Sequence, residues 1–196
     1  MSVLEKDRKE TPFDARDNML NIWNHVTELS FRGFGVRKRN TPKTPKNFNE
    51  WSKASQEKHL KSMEEKKIRQ EKWDMMFIER ESKVVDDLCR NIVYAIDAAN
   101  TINPQYICEC DIQRVKQDEA IGLCNNLKRE LNHIAETIPC NKNFLSQVTE
   151  DIAKEIVILR GWRKSCNDTR KKVIEKEISQ RKTVAEKMGF IFNLEQ

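Results

Sequence analysis

Two groups of cations hold the plainest chemistry in this sequence. Arg37, Lys38, Arg39, Lys43 and Lys46 fall in a run, 32–46, that also contains Arg32 and has no acid. Arg160, Arg163, Lys164, Arg170, Lys171 and Lys172 open a second run, 160–187, with ten Lys or Arg against four acids. Between them, residues 84–159 carry seven cations against twelve acids, so the net charge of +5 is segregated to two places outside an acidic middle. Segregation of this kind suits a polyanion such as nucleic acid, whose bound counterions are released when cations replace them. The competing reading is ordinary solvation of helix surfaces, which applies most to the second run. There Arg160, Arg163 and Lys164 are expected at a helix C-terminus, where cations also favour the macrodipole.

The residue types that perform catalysis are present without the spacing that makes them act together. His25, His59 and His133 fall on separate expected helices with no spaced ligand partner, and His133 reads as a boundary residue beside an apolar stripe. Asp86-Asp87 and Asp118-Glu119 are adjacent pairs, and adjacent helical side chains diverge. Glu150, Asp151 and Glu155 complement the N-terminal dipole of a late helix. Of the six cysteines only Cys108 and Cys110 are close. A C-x-C step on a helix points its thiols about 200° apart, a poor geometry for one metal. Neither glycine-rich phosphate-binding motif occurs. The expectation is no catalytic residue, no metal ligand and no cofactor.

The elements that must carry these cations are helices. Charged residues are 34 % and hydrophobic residues 38 %, with five Gly and five Pro, a balance that favours solvent-washed helices over sheet. A first helix over about 14–30, N-capped by Asp14, places Met19, Ile22, Val26 and Leu29 on one face. Gly33 and Gly35 end it, and Thr41-Pro42 and Thr44-Pro45 resist helix, which predicts an extended, mobile basic arm. Residues 49–80 are helical but poorly amphipathic, a projecting helix or a partner-docking segment. A core helix over about 80–102 carries Val85, Leu88, Ile92 and Ile96 and stops at Asn103-Pro104.

Two further helices follow, 105–138 and 143–164. The first carries a stripe of Ile112, Val115, Ile121, Cys124, Leu127, Leu131, Ile134 and Ile138; the second carries Leu145, Val148, Ile152, Ile156 and Leu159. Trp162 fits this last stripe and so closes the core; the other reading stacks it on a base or a partner. A weaker helix over about 169–188 and an apolar tail complete the chain. The expected architecture is all-α: an up-down four-helix bundle with a long insertion after the first helix and a C-terminal helical extension. Its parts are 1–31, the arm and inserted helix 32–79, the three remaining bundle helices 80–164, and the basic extension 165–196. No apolar run is long enough to span a bilayer and no secretory leader is read at the N-terminus, so a cytoplasmic protein with reduced thiols is expected.

Leu127 to Lys164, especially Leu127-Lys128-Arg129-Glu130-Leu131, Glu155-Ile156 and Gly161-Trp162-Arg163-Lys164, resembles the accessory variability determinant proteins of diversity-generating retroelements. The helix containing Leu88, Ile92 and Ile96 is similar in position and length to that family's second helix. The resemblance covers about half the chain. It implies a basic, noncatalytic homo-oligomer, a pentameric ring in the family, that binds a reverse transcriptase and its template RNA and supports mutagenic cDNA synthesis. Residues 31–73 and 165–196 depart from the family pattern as an insertion and an extension. The alternative is a helical protein–protein adaptor without nucleic-acid binding, using Trp51, Trp73, Phe77 and the tail aromatics.

Overall fold

The computed structural model describes residues 12–37 and 44–188. Its long elements are four helices: α1 Pro12–Phe31, α2 Lys53–Asn100, α3 Ile107–Thr137 and α4 Lys142–Lys187. Short 3-10 turns stand at Gly33–Gly35 and Phe48–Glu50, and the described residues contain no strand. α1 and α3 each pack on both α2 and α4, an arrangement that a four-helix bundle fits. No helix among the described residues is long and apolar enough to cross a membrane.

Local chemistry sets the helix ends. Pro12 suits the first turn of α1 because its missing N–H has no partner to lose there. Asp14, expected as the cap, instead lies inside that turn, where its charge favours the dipole. Ser52 Oγ accepts from Ser55 N–H at the start of α2. Glu109 Oε2 accepts from the N–H groups of Gln105 and Tyr106 at the start of α3. Asn141 Oδ1 accepts from Asn143 N–H where α4 begins.

Two expected boundaries inside the chain do not exist. The segments 49–80 and 80–102 form one helix, α2, of 48 residues and about 72 Å. No Gly or Pro interrupts 53–100, so nothing breaks the backbone ladder even where the apolar pattern is sparse. Burial on α2 begins only at Asp74 and Phe77, so its first 21 residues lead away from the core. Likewise 143–164 and 169–188 merge into α4, of 46 residues. The Ser165–Thr169 stretch has poor helix propensity, but tertiary contacts hold it. Gln117 Nε2 donates to Cys166 Sγ at 3.3 Å, and Arg170 Nε reaches Asp111 at 3.2 Å.

The stripes on α1 and α4 pack as expected: Met19, Ile22, Val26, Leu145, Ile152 and Leu159 are all buried. Trp162 is buried too, which settles its two readings in favour of the core. The stripe on α3 is corrected. Ile112 and Val115 are 53 % and 63 % exposed, and the buried row continues from Leu127 and Cys124 back through Ala120, Gln117, Gln113 and Cys110. That row keeps the alternating three- and four-residue spacing of a helix seam, but polar and small residues occupy it. Gln113 is accommodated by bonding, its Nε2 donating to the carbonyls of Ala99 and Ile102, whereas Gln117 satisfies only its Nε2, its buried Oε1 having no hydrogen-bond partner among the described residues.

The start of the expected mobile arm is also corrected. Gly33, Phe34 and Gly35 take φ of +57°, +56° and +67°, and Phe34 is fully buried. Left-handed backbone at a phenylalanine costs roughly 1–2 kcal/mol, which burial of the ring offsets. Arg37 N–H donates to Pro139 carbonyl at 2.7 Å, so the chain stays fixed to the α3–α4 connection through residue 37.

Candidate functional site

The sequence-expected cations divide by position. Lys38, Arg39 and Lys43 lie outside the described residues. Arg37 and Lys46 are exposed. Arg37 sits beside Pro139, at the end of the molecule where α4 begins. Arg160 stands 19 residues beyond Asn141, about 28 Å further along α4. Arg37 and the α4 cations therefore stand at separate places.

On α4 the cations divide again, by face. Arg163 Nη1 pairs with Asp118 at 2.8 Å and Arg170 Nε with Asp111 at 3.2 Å, both acids on α3. These arginines are seven residues apart, two helical turns, and act as paired clamps between α3 and α4. Arg160, Lys164 and Lys171, four and seven apart, share an adjacent exposed stripe; Lys172 is exposed on a further face. The helix-end explanation of Arg160, Arg163 and Lys164 is overturned, because α4 continues to Lys187 and leaves them mid-helix. Mid-helix, these exposed cations gain nothing from the macrodipole; water solvates them, and the exposed acids Asp168 and Glu175 stand one turn beyond Lys164 and Lys171.

The acids and thiols are mostly structural. Asp86 accepts from Trp23 Nε1 at 2.7 Å and pairs with Arg90 at 2.5 Å. Glu155, expected to serve the dipole, is fully buried and accepts from Asn18 Nδ2 at 2.7 Å, a polar tie between α1 and α4. All six cysteines are free thiols. Burial pushes the Cys89 thiol up to about 12, with the Asp86 charge adding to it. Burial also raises Cys124, Cys110 and Cys140, so none of these is an activated nucleophile.

One cluster forms only in three dimensions. Glu81 on α2 and Glu130 and His133 on α3 each bring one ligand atom within 4.8 Å of the others. Glu81 is 2 % exposed, and Arg80 reaches its Oε1 through Nε at 2.7 Å and Nη2 at 2.5 Å. Burial raises the Glu130 carboxyl above the ordinary range, helped by a hydrogen bond and the charge of Glu81; His133 and Arg80 oppose the rise. The Phe77 ring lies 5.8 Å from the His133 ring and 5.2 Å from the Arg80 guanidinium carbon. Glu-x-x-His at 130–133 was the legible half of this signal. Glu81, 49 residues away on another helix, was not.

No family model, curated protein or solved structure matches the chain.

Proposed function

We propose that the chain is a noncatalytic accessory protein that binds RNA on α4 and a protein partner, the partner being a reverse transcriptase whose template RNA it helps present. The observation that carries this reading is the solvent-facing stripe of Arg160, Lys164 and Lys171, set beside the Arg163 and Arg170 clamps that hold α4 in place. A stripe of cations with no ion pair among the described residues, on a braced helix, is a preorganised surface for a phosphate backbone. Gly161-Trp162-Arg163-Lys164, the short signature of the accessory variability determinant resemblance, falls on this same stretch.

The framework we infer is an up-down bundle. Its support is the order of cross-helix pairs. Arg16 meets Asp97 and Trp23 meets Asp86, while Asp111 meets Arg170 and Asp118 meets Arg163. In each case one number rises as the other falls. The first stretch of α2 is the insertion, and the end of α4 the extension. Free thiols support a cytoplasmic setting. Association into a ring of copies belongs to the same reading and is checked by light scattering of the purified chain.

The adaptor reading is favoured by a different observation. Leu60, Ile68, Trp73, Met75 and Met76 are all exposed along or just beyond the projecting part of α2. Ultraviolet crosslinking to single-stranded RNA, with the crosslinked peptides mapped, separates the two. Crosslinks at 160–172 and 37–46 belong to the accessory protein. Absence of crosslinks, with a protein captured through α2, belongs to the adaptor.

A further inference from the structure

The geometry points to a divalent transition-metal site, of the Zn2+ class, bridging α2 and α3 through Glu81, Glu130 and His133. It is independent of the RNA reading and uses none of the cations on α4.

Glu130 and His133 are three residues apart and so share a face of α3, and Glu81 approaches from α2. Their ligand atoms converge to within 4.8 Å, and among the described residues this is the one group of three or more His, Cys, Asp or Glu that does so. Zn2+ holds oxygen and imidazole ligands at about 2.0–2.2 Å, which sets neighbouring ligand atoms about 3.3 Å apart in a tetrahedron. The donor set is two carboxylates and one imidazole, suited to Zn2+ and related borderline ions, with a fourth position for water.

Charge supports the assignment. A deeply buried carboxylate facing a second one is costly unless cations compensate both. Arg80 supplies one positive charge, held at Glu81 Oε1. A divalent ion would bring positive charge to the two facing carboxylates together. The Thr137 hydroxyl stands 3.4 Å from His133 Nδ1, and while it engages that nitrogen, Nε2 is the ligand atom. Phe77 and Arg80 cover one side of the cluster. Bound metal would staple α2 to α3 close to where α2 leaves the core.

The test uses the full chain, stripped with chelator and returned to chelator-free buffer. Zn2+ is titrated by calorimetry, and Co2+ serves as an optical substitute. The expected result is one equivalent bound, visible Co2+ bands and a higher melting temperature with Zn2+. His133→Ala and Glu130→Gln, at the solvent side, should each weaken Zn2+ binding by more than about 100-fold, exceeding the usual effect of losing an outer-shell partner. A Cys108→Ser, Cys110→Ser double variant should bind as the wild type does. If Glu81→Gln fails to fold, the other two substitutions carry the test. Absence of Zn2+ binding in the wild type overturns the site. So does binding that survives His133→Ala and disappears in the cysteine variant.

Discussion

Arg163 on α4 and Asp118 on α3 form an ion pair of 2.8 Å between side chains that are both partly exposed. One residue further on, Lys164 faces solvent. Neighbouring cations thus have different work, and substitution should separate them. Arg163→Glu should destabilise the fold by about 1 kcal/mol, losing a partly screened pair and adding repulsion with Asp118. Asp118→Lys in the same chain should restore most of that loss. Lys164→Glu should leave stability within about 0.5 kcal/mol and weaken RNA binding. Chemical denaturation of the four proteins checks the first three statements.

Packing on α3 supplies a second contrast. Leu131 and Ile152 are fully buried, so Leu131→Ala and Ile152→Ala should each cost about 2–5 kcal/mol. Ile112→Ala and Val115→Ala remove side chains that are already solvent-exposed and should each cost no more than about 0.5 kcal/mol. Losses of similar size at all four sites would contradict the seam assigned to α3.

This contrast also explains what the sequence could reveal. Helical class, the faces of α1 and α4, and the burial of Trp162 follow from apolar spacing, which requires no knowledge of the partner helix. The α3 seam was misread because Gln113 and Gln117 hold buried positions through bonds to Ala99 and Ile102 carbonyls and to Cys166. Apolar periodicity cannot register such positions. The helix breaks expected near 80 and 165 were missing because the Arg170–Asp111 pair and an uninterrupted backbone override weak local preference. Glu81 joined Glu130 and His133 only once α2 and α3 were packed together.

Phe34 tests the corrected turn. Its ring is fully buried while its backbone sits at φ +56°, so packing maintains the conformation together with the Gly35 N–H to Arg32 carbonyl and Val36 N–H to Gly33 carbonyl bonds. Phe34→Ala should cost about 3–5 kcal/mol, measured by thermal or urea unfolding. A loss below about 1 kcal/mol would return this segment to a loose arm.

Glu130 should leave a pH signature in metal-free buffer. Its folded-state pKa is raised, by burial first and Glu81 next, so the folded state favours the protonated carboxyl. The stability this provides is fully present below the ordinary carboxylate range and is lost as pH rises through the raised value. Glu130→Gln mimics the protonated form. It should therefore be more stable than the wild type at neutral pH, by up to about 1 kcal/mol given solvent screening, with the advantage vanishing in acid. Melting temperatures of both proteins across pH check this, and an advantage that grows in acid would contradict it.

The salt dependence of RNA binding tests the central claim most directly. Single-stranded RNA is titrated against the wild type and against Arg160→Gln, Lys164→Gln, Lys171→Gln combined, at several salt concentrations. Each phosphate contact contributes about 0.7 to the slope of log affinity against log salt on single strands, so losing three should lower its magnitude by about 2. The triple variant should keep the wild-type melting temperature, because none of the three side chains is buried. An unchanged slope and affinity in a folded triple variant would contradict RNA binding through α4.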